Sequence, residues 1–247
     1  MENKPKLKLE IDKKADINMA VGFVEGCLKE KDVDFAKWFL PEQLHFILEK
    51  GFTKKEREKI VRKYAEYFYS QKIKEIKVGL KNSKKNWEKV EDKYFKLAGK
   101  IFKNHPWPKS YYKEGYCGMP TIFRMYPRFI DRKYFFFPYN HEVKNFTNYT
   151  IAHELLHFIF FDYIDKKYGI KEHDEFAGKH ERYVWQISEA FNVVIENWSP
   201  YFRVIKVPTT TYTKEQEVVY RKMKKQWTEK QDIDRVLDQW FLGLKKK

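Results

Sequence analysis

The sequence predicts an α+β fold, mostly helical, with a small sheet packed near one buried helix. Three observations carry this. Chain breakers are scarce, with 10 Gly and 9 Pro in 247 residues, so long helices are the default. Apolar residues recur at helical spacing, among mixed Lys and Glu, through most of the first hundred positions. Beyond Pro120 the texture changes, and two short segments are rich in aromatic and β-branched residues.

Taken in order, residues 1–104 read as a helical region, with helices expected around Asn18–Leu28, Val33–Lys50, Lys54–Ser70 and Trp87–Phe102. Pro41 suits a first helical turn and Gly51 a helix end. Ile73–Val78 reads as a strand. Asn104–Pro108 breaks the chain, and Gly115–Pro120 reads as a loop. Thr121–Tyr126 and Tyr134–Phe137 read as two strands, closed by Pro127 and Pro138. Asn145 or Thr147 caps a helix that runs to about Tyr168, where Gly169 fits the C′ position. A further helix is expected over roughly Glu175–Trp198, stopped by Pro200, and one or two more over Thr213–Leu244. This divides the chain into a helical region 1–104, a core 105–200 and a helical region 201–247, unless all three join in one compact domain.

Composition excludes several classes. Hydrophobic residues make up 43% and include 21 Phe, 17 Tyr and 7 Trp, which argues against global disorder. Cys27 and Cys117 are far apart and form no metal knuckle or disulfide framework. Met1–Lys14 lacks an apolar signal core, and no run approaches 18 apolar residues. The expectation is an intracellular, cytoplasmic protein without a membrane span. The net charge of +15 favours acidic partners such as nucleic acid. Segments such as Lys54–Lys59 nevertheless mix both signs, as solvated helix faces do.

The chemistry is concentrated in His153-Glu154-Leu155-Leu156-His157. On a helix, residues i and i+4 share a face, so the two imidazoles can hold one Zn²⁺. Glu154 lies about 100° further round, placed to act as a general base on water that zinc acidifies. The flanks Thr150–Ile159 are nearly free of charge, so this helix is expected to be buried, and buried polar groups need partners.

Thr150–Ile159 resembles the extended signature of the zincin metallopeptidases. The metzincin branch would require Gly and His where Phe160 and Tyr163 stand. The resemblance is therefore to the gluzincin type, in which a Glu on a later helix completes the site. It covers about residues 120–200. It implies a zinc-dependent peptidase acting on peptide or protein substrates, with Glu154 as catalytic base and one zinc ion. Its implied metal ligands are His153, His157 and a downstream acid.

Candidates for that acid are Glu172, Glu175, Glu181, Glu189 and Glu196, with His173 and His180 as alternatives. An apolar stripe through Val184, Ile187, Phe191, Val194 and Trp198 leaves Glu189 on the other side of its helix. Val193 and Ile195 leave little wholly polar surface there. If that helix packs between two layers, Glu189 faces inward. Its separation from His157 suits the family, so Glu189 ranks first, then Glu196 and His180. In some gluzincins an acid one turn after the ligand Glu orients the first His. Val193 occupies that place here, with Asn192 as a weak substitute. Oxyanion donors are sought among His180, Tyr183, Tyr201, Arg203 and Tyr212. Thr121–Tyr126 or Tyr134–Phe137 would be the substrate-binding edge, though the triple-Phe run reads better as a core strand. Two other functions stay open. One is a basic nucleic-acid-associated protein whose HELLH site is structural or regulatory; the other is a zinc-holding domain without catalysis.

Overall fold

The computed structural model describes residues 4–110, 115–171 and 183–242. The fold is α+β, mostly helical, with one mixed sheet of four short strands. β1 (Leu7–Leu9) leads into α1 (Lys13–Glu30), α2 (Val33–Phe39), a 3₁₀ turn (Glu42–Leu48), α3 (Lys54–Glu88) and α4 (Glu91–Ile101). Then come β2 (Tyr116–Thr121), β3 (Arg128–Phe129), β4 (Tyr134–Pro138) and α5 (Phe146–Tyr168). α6 (Tyr183–Glu196), α7 (Ser199–Ile205), α8 (Lys214–Lys230) and α9 (Ile233–Phe241) complete the chain.

The sheet order is β1-β2-β4-β3. β1, β2 and β4 run parallel, and β3 closes the edge antiparallel to β4. Helices cover both faces, which is what a parallel sheet requires. The three phenylalanines of β4 divide by alternation. Phe135 and Phe137 enter the core formed by α4–α9, while Phe136 enters the core formed by α1, α2 and α3.

Several expectations need correction. Gly115–Pro120 is not a loop, because Tyr116–Thr121 is the fully buried strand β2. Its Gly118 is what fits between β1 and β4: a Cβ there would stand 2.6 Å from Leu9 and 2.8 Å from Phe135. A glycine that reads as a breaker thus permits close packing. Thr121–Tyr126 is not a strand beyond its first residue, and the edge strand falls at Arg128–Phe129 instead.

Ile73–Val78 lies inside α3, a 35-residue helix opened by a capping box between Thr53 and Glu56. Ile73, Ile76 and Leu80 are spaced three and four apart and pack inward, which is the helical period and not that of a strand. The helix expected over Val33–Lys50 divides into α2 and the 3₁₀ turn, with Pro41 at the junction and Gly51 in a turn at φ 108°. Pro200 begins α7, after α6 has ended at Glu196. The part of the expected Glu175–Trp198 helix before Tyr183 lies outside the described residues.

α5 matches its expected bounds. Gly169 takes the left-handed conformation at its C-terminus, φ 69°. Asn145 occupies the N-cap position, also left-handed, but its side chain makes no capping hydrogen bond. α6 is almost wholly buried from Ile187 to Glu196, packed between α5 and α8. It is the two-layer environment in which Glu189 faces inward. Among the described residues, no helix is long and apolar enough to cross a membrane.

Candidate metal centre

His153 and His157 lie on one face of α5, their rings 4.7 Å apart and nearly perpendicular. Both Nε2 atoms point to the same place, 3.1 Å from each other. α6 brings Glu189 against them. One carboxylate oxygen lies 3.3 Å from His153 Nε2, the other 3.3 Å from His157 Nε2. Ligands on a tetrahedral ion at 2.0–2.1 Å stand about 3.3–3.4 Å apart, so these three side chains nearly form one face of such a shell. Glu154 is close as well: its carboxylate and the two imidazoles offer donor atoms all within 4.8 Å of one another. All four side chains are buried.

Other side chains hold this group in place. Glu196 accepts from His153 Nδ1 at 2.7 Å, which aims Nε2 inward. Asn192 Nδ2 lies 3.1 Å from His157 Nε2 and 3.4 Å from the His153 carbonyl. An ion taking the His157 Nε2 lone pair would therefore displace the first of these contacts. Arg128, on the edge strand β3, donates to Glu189 Oε1 at 3.3 Å and lies over the Phe161 ring.

The charges are divided unevenly. Burial works against a charge on His153, yet Glu196 and Glu189 raise its pKa well above the usual imidazole value. Burial, aided by the Arg128 guanidinium, holds His157 down at about 3, so its ring is neutral. Burial also works against ionised Glu189, but hydrogen bonds with both imidazoles and the charge on His153 keep its pKa well below the usual carboxylate value. Burial pushes Glu154 up to about 7, against the pull of His153 and Arg128. One of its oxygens, Oε2, has no hydrogen-bond partner among the described residues. A buried carboxylate left open in this way, beside two nitrogens and a second carboxylate, fits a site built for an ion and its water.

The sequence-derived residues sort as follows. His153, Glu154, His157 and Glu189 come together. Glu196 belongs to the site but on the outer side of His153, not among the converging atoms. Glu172, His173, Glu175, His180 and Glu181 lie outside the described residues. Of the oxyanion candidates, Tyr183 donates to the Trp240 carbonyl and Tyr201 is buried. Arg203 donates to Ser199 on α7. Tyr212 is 68% exposed, meets Tyr149 hydroxyl to hydroxyl, and feels the charges of His153, Glu189 and Glu196. The Tyr149 ring lies tilted against the His153 ring, their centroids 5.6 Å apart.

The orienting role of Glu196 escaped the sequence reading, although seven residues make almost two full turns and return it to the face of Glu189. No sequence signal marks Arg128, whose place depends on which strand forms the sheet edge. No family model, curated protein or solved structure matches this chain.

Proposed function

We propose that this protein is a zinc-dependent hydrolase that cleaves peptide bonds, with Glu154 as general base. The observation that carries this reading is the convergence of both imidazole Nε2 atoms and the Glu189 carboxylate to separations of 3.1–3.3 Å. His153, His157 and Glu189 would hold the ion. Zinc bound there would act as a Lewis acid towards a carbonyl and would acidify water.

The remaining roles belong to the chain. Glu154 takes a proton and gives it to the leaving amine. Neutral His157 keeps a lone pair for an ion, and Glu196 fixes the tautomer of His153 by accepting from Nδ1. Arg128 anchors Glu189. Tyr212, whose hydroxyl meets that of Tyr149 close to the centre, would be placed for oxyanion stabilisation. β3 is the sheet edge beside the centre, and an extended peptide would add there as a further strand.

Glu154→Gln tests the reading. The variant should bind one zinc per chain, measured by elemental analysis, and lose hydrolysis of a mixed peptide library by about a thousandfold or more. Zinc-loaded Glu154→Gln with undiminished cleavage would rule out the mechanism. A wild-type protein that binds no zinc would rule out the centre itself.

A further inference from the structure

α3 runs for 35 residues, and its inner side belongs to the core, where Val61, Ala65, Tyr69 and Ile76 are buried. Its outer side carries charge of one sign. Lys63, Lys74, Lys77, Lys81, Lys84 and Lys85 are all exposed. They fall within a band about 100° wide round the axis. From Lys63 to Lys85 the rise is about 33 Å, close to one turn of a nucleic-acid duplex.

The acids of α3 are engaged elsewhere. Glu56 closes the capping box, Glu58 pairs with Arg62 at 3.1 Å, and Glu75 pairs with Lys72 at 2.8 Å. Both ion pairs lie outside the band. Glu66 stands at its margin and Glu88 beyond its end. Among the described residues, none of the six lysines has an ion-pair partner. A solvated helix face interleaves its charges, as Glu58 and Arg62 do. Here cations repeat from Lys74 to Lys85, about three turns, with no acid among them on that face.

The side chains between the lysines point to the same kind of partner. Tyr67, 67% exposed, lies in the band and offers a hydroxyl of the sort that donates to phosphate. Val78, exposed at the edge of the band, suits the face of a sugar. No Arg, Asn or Gln stands in the band to read base edges. Two other polyanionic partners fit less well. A helix on an anionic membrane gives its apolar side to the lipid, and that side of α3 is buried in the core. A single strand draws on successive aromatic platforms, and the band has one.

We propose that the outer face of α3 binds the phosphate backbone of a nucleic-acid duplex without reading its sequence. The net charge of +15 steers the encounter. Hydrolysis at the candidate metal centre is not part of the inference, so Glu154→Gln should leave duplex binding unchanged.

Fluorescence anisotropy with a labelled DNA duplex of about 30 base pairs tests it. Between about 50 and 200 mM salt, the logarithm of affinity against the logarithm of salt should have a slope of about −5, as six phosphate contacts give. A second duplex of unrelated sequence should bind within about threefold. Lys77→Ala/Lys81→Ala should weaken binding by about tenfold or more and make the slope shallower by about 2. Alanine favours the helix, and circular dichroism reports that the variant is folded. Lys224→Ala/Lys225→Ala, which removes the same charge from α8, should change affinity by less than about twofold. Absence of duplex binding at about 50 mM salt would overturn the proposal. So would equal weakening by the α8 pair, or a single strand of the same sequence that binds more tightly than the duplex. Phosphatidylserine vesicles that bind through Lys77 and Lys81 where the duplex does not would overturn it as well.

Discussion

Glu196 stands seven residues after Glu189, and that spacing decides what it does. Two turns of helix return it to the same face but about 10 Å along the axis, past the converging Nε2 atoms and onto the outer nitrogen of His153. Its charge stabilises the tautomer that leaves Nε2 facing inward. Glu196→Gln keeps the shape and an acceptor but loses the charge. Zinc affinity, read by competition with a chromophoric chelator, should fall by about tenfold to a hundredfold. Unchanged affinity would reduce Glu196 to packing. A second buried acid, Asp16, acts on stability alone. It is fully buried and accepts from the Tyr69 hydroxyl and the Ile122 amide. Burial pushes its carboxyl up to about 6, although these donors favour the charge. The folded chain thus holds this proton more tightly than the unfolded chain. The resulting stabilisation is complete below about pH 4 and is lost as pH rises through about 6. Asp16→Asn should remove that loss, making the variant more stable than wild type by up to about 3 kcal/mol near neutral pH. Urea unfolding at about pH 4.5 and about pH 7.5 would show it. A variant that loses stability at both values would mean that the charged form is the one the site favours.

At the scale of elements, α3 is held by one residue without a side chain. A Cβ on Gly79 would lie 2.0 Å from the Tyr139 carbonyl oxygen, a backbone atom that cannot rotate away. Alanine is the better helix former by about 1 kcal/mol, yet the clash should outweigh it. Gly79→Ala is expected to destabilise the protein by about 1–3 kcal/mol in urea unfolding. A stabilised variant would show that α3 and the segment after β4 separate without cost. The same kind of close approach explains which elements were legible. α5 has a neutral, continuous apolar run and a terminal Gly169, and its bounds follow from those alone. β2 was hidden because Gly118 and Pro120 signal a break locally, while their packing against β1 and β4 makes a strand. β1 was hidden because three residues carry no period, and it exists by pairing with β2 more than a hundred positions away. The motif residues were legible from spacing. Glu189 was legible because its helix has no polar face to spare. Arg128 was not, because its role depends on sheet order.

For the molecule as a whole, the candidate metal centre lies where α5 meets α6, within the larger of the two cores. Its polar groups are taken out of water there. Glu154 Oε2, His157 Nδ1, Asn192 Oδ1 and Glu196 Oε2 all lack partners among the described residues. Buried polar groups so incompletely matched cost stability, and the surrounding phenylalanines cannot solvate them. An ion on His153, His157 and Glu189 would match the Glu189 charge and tie the two helices together. The unfolded chain has no preformed site, so ion binding favours the folded state. At a free zinc concentration about a hundred times Kd, the gain is about 2.7 kcal/mol. For a chain of this size that corresponds to a rise in Tm of about 5–10 °C. Differential scanning calorimetry with zinc and after chelation should show this difference. Glu189→Gln should lose most of it, whereas Lys224→Ala/Lys225→Ala should keep it. An equal rise in the Glu189→Gln protein would mean that zinc stabilises the fold from another place. α5 and α6 would then be joined by packing alone.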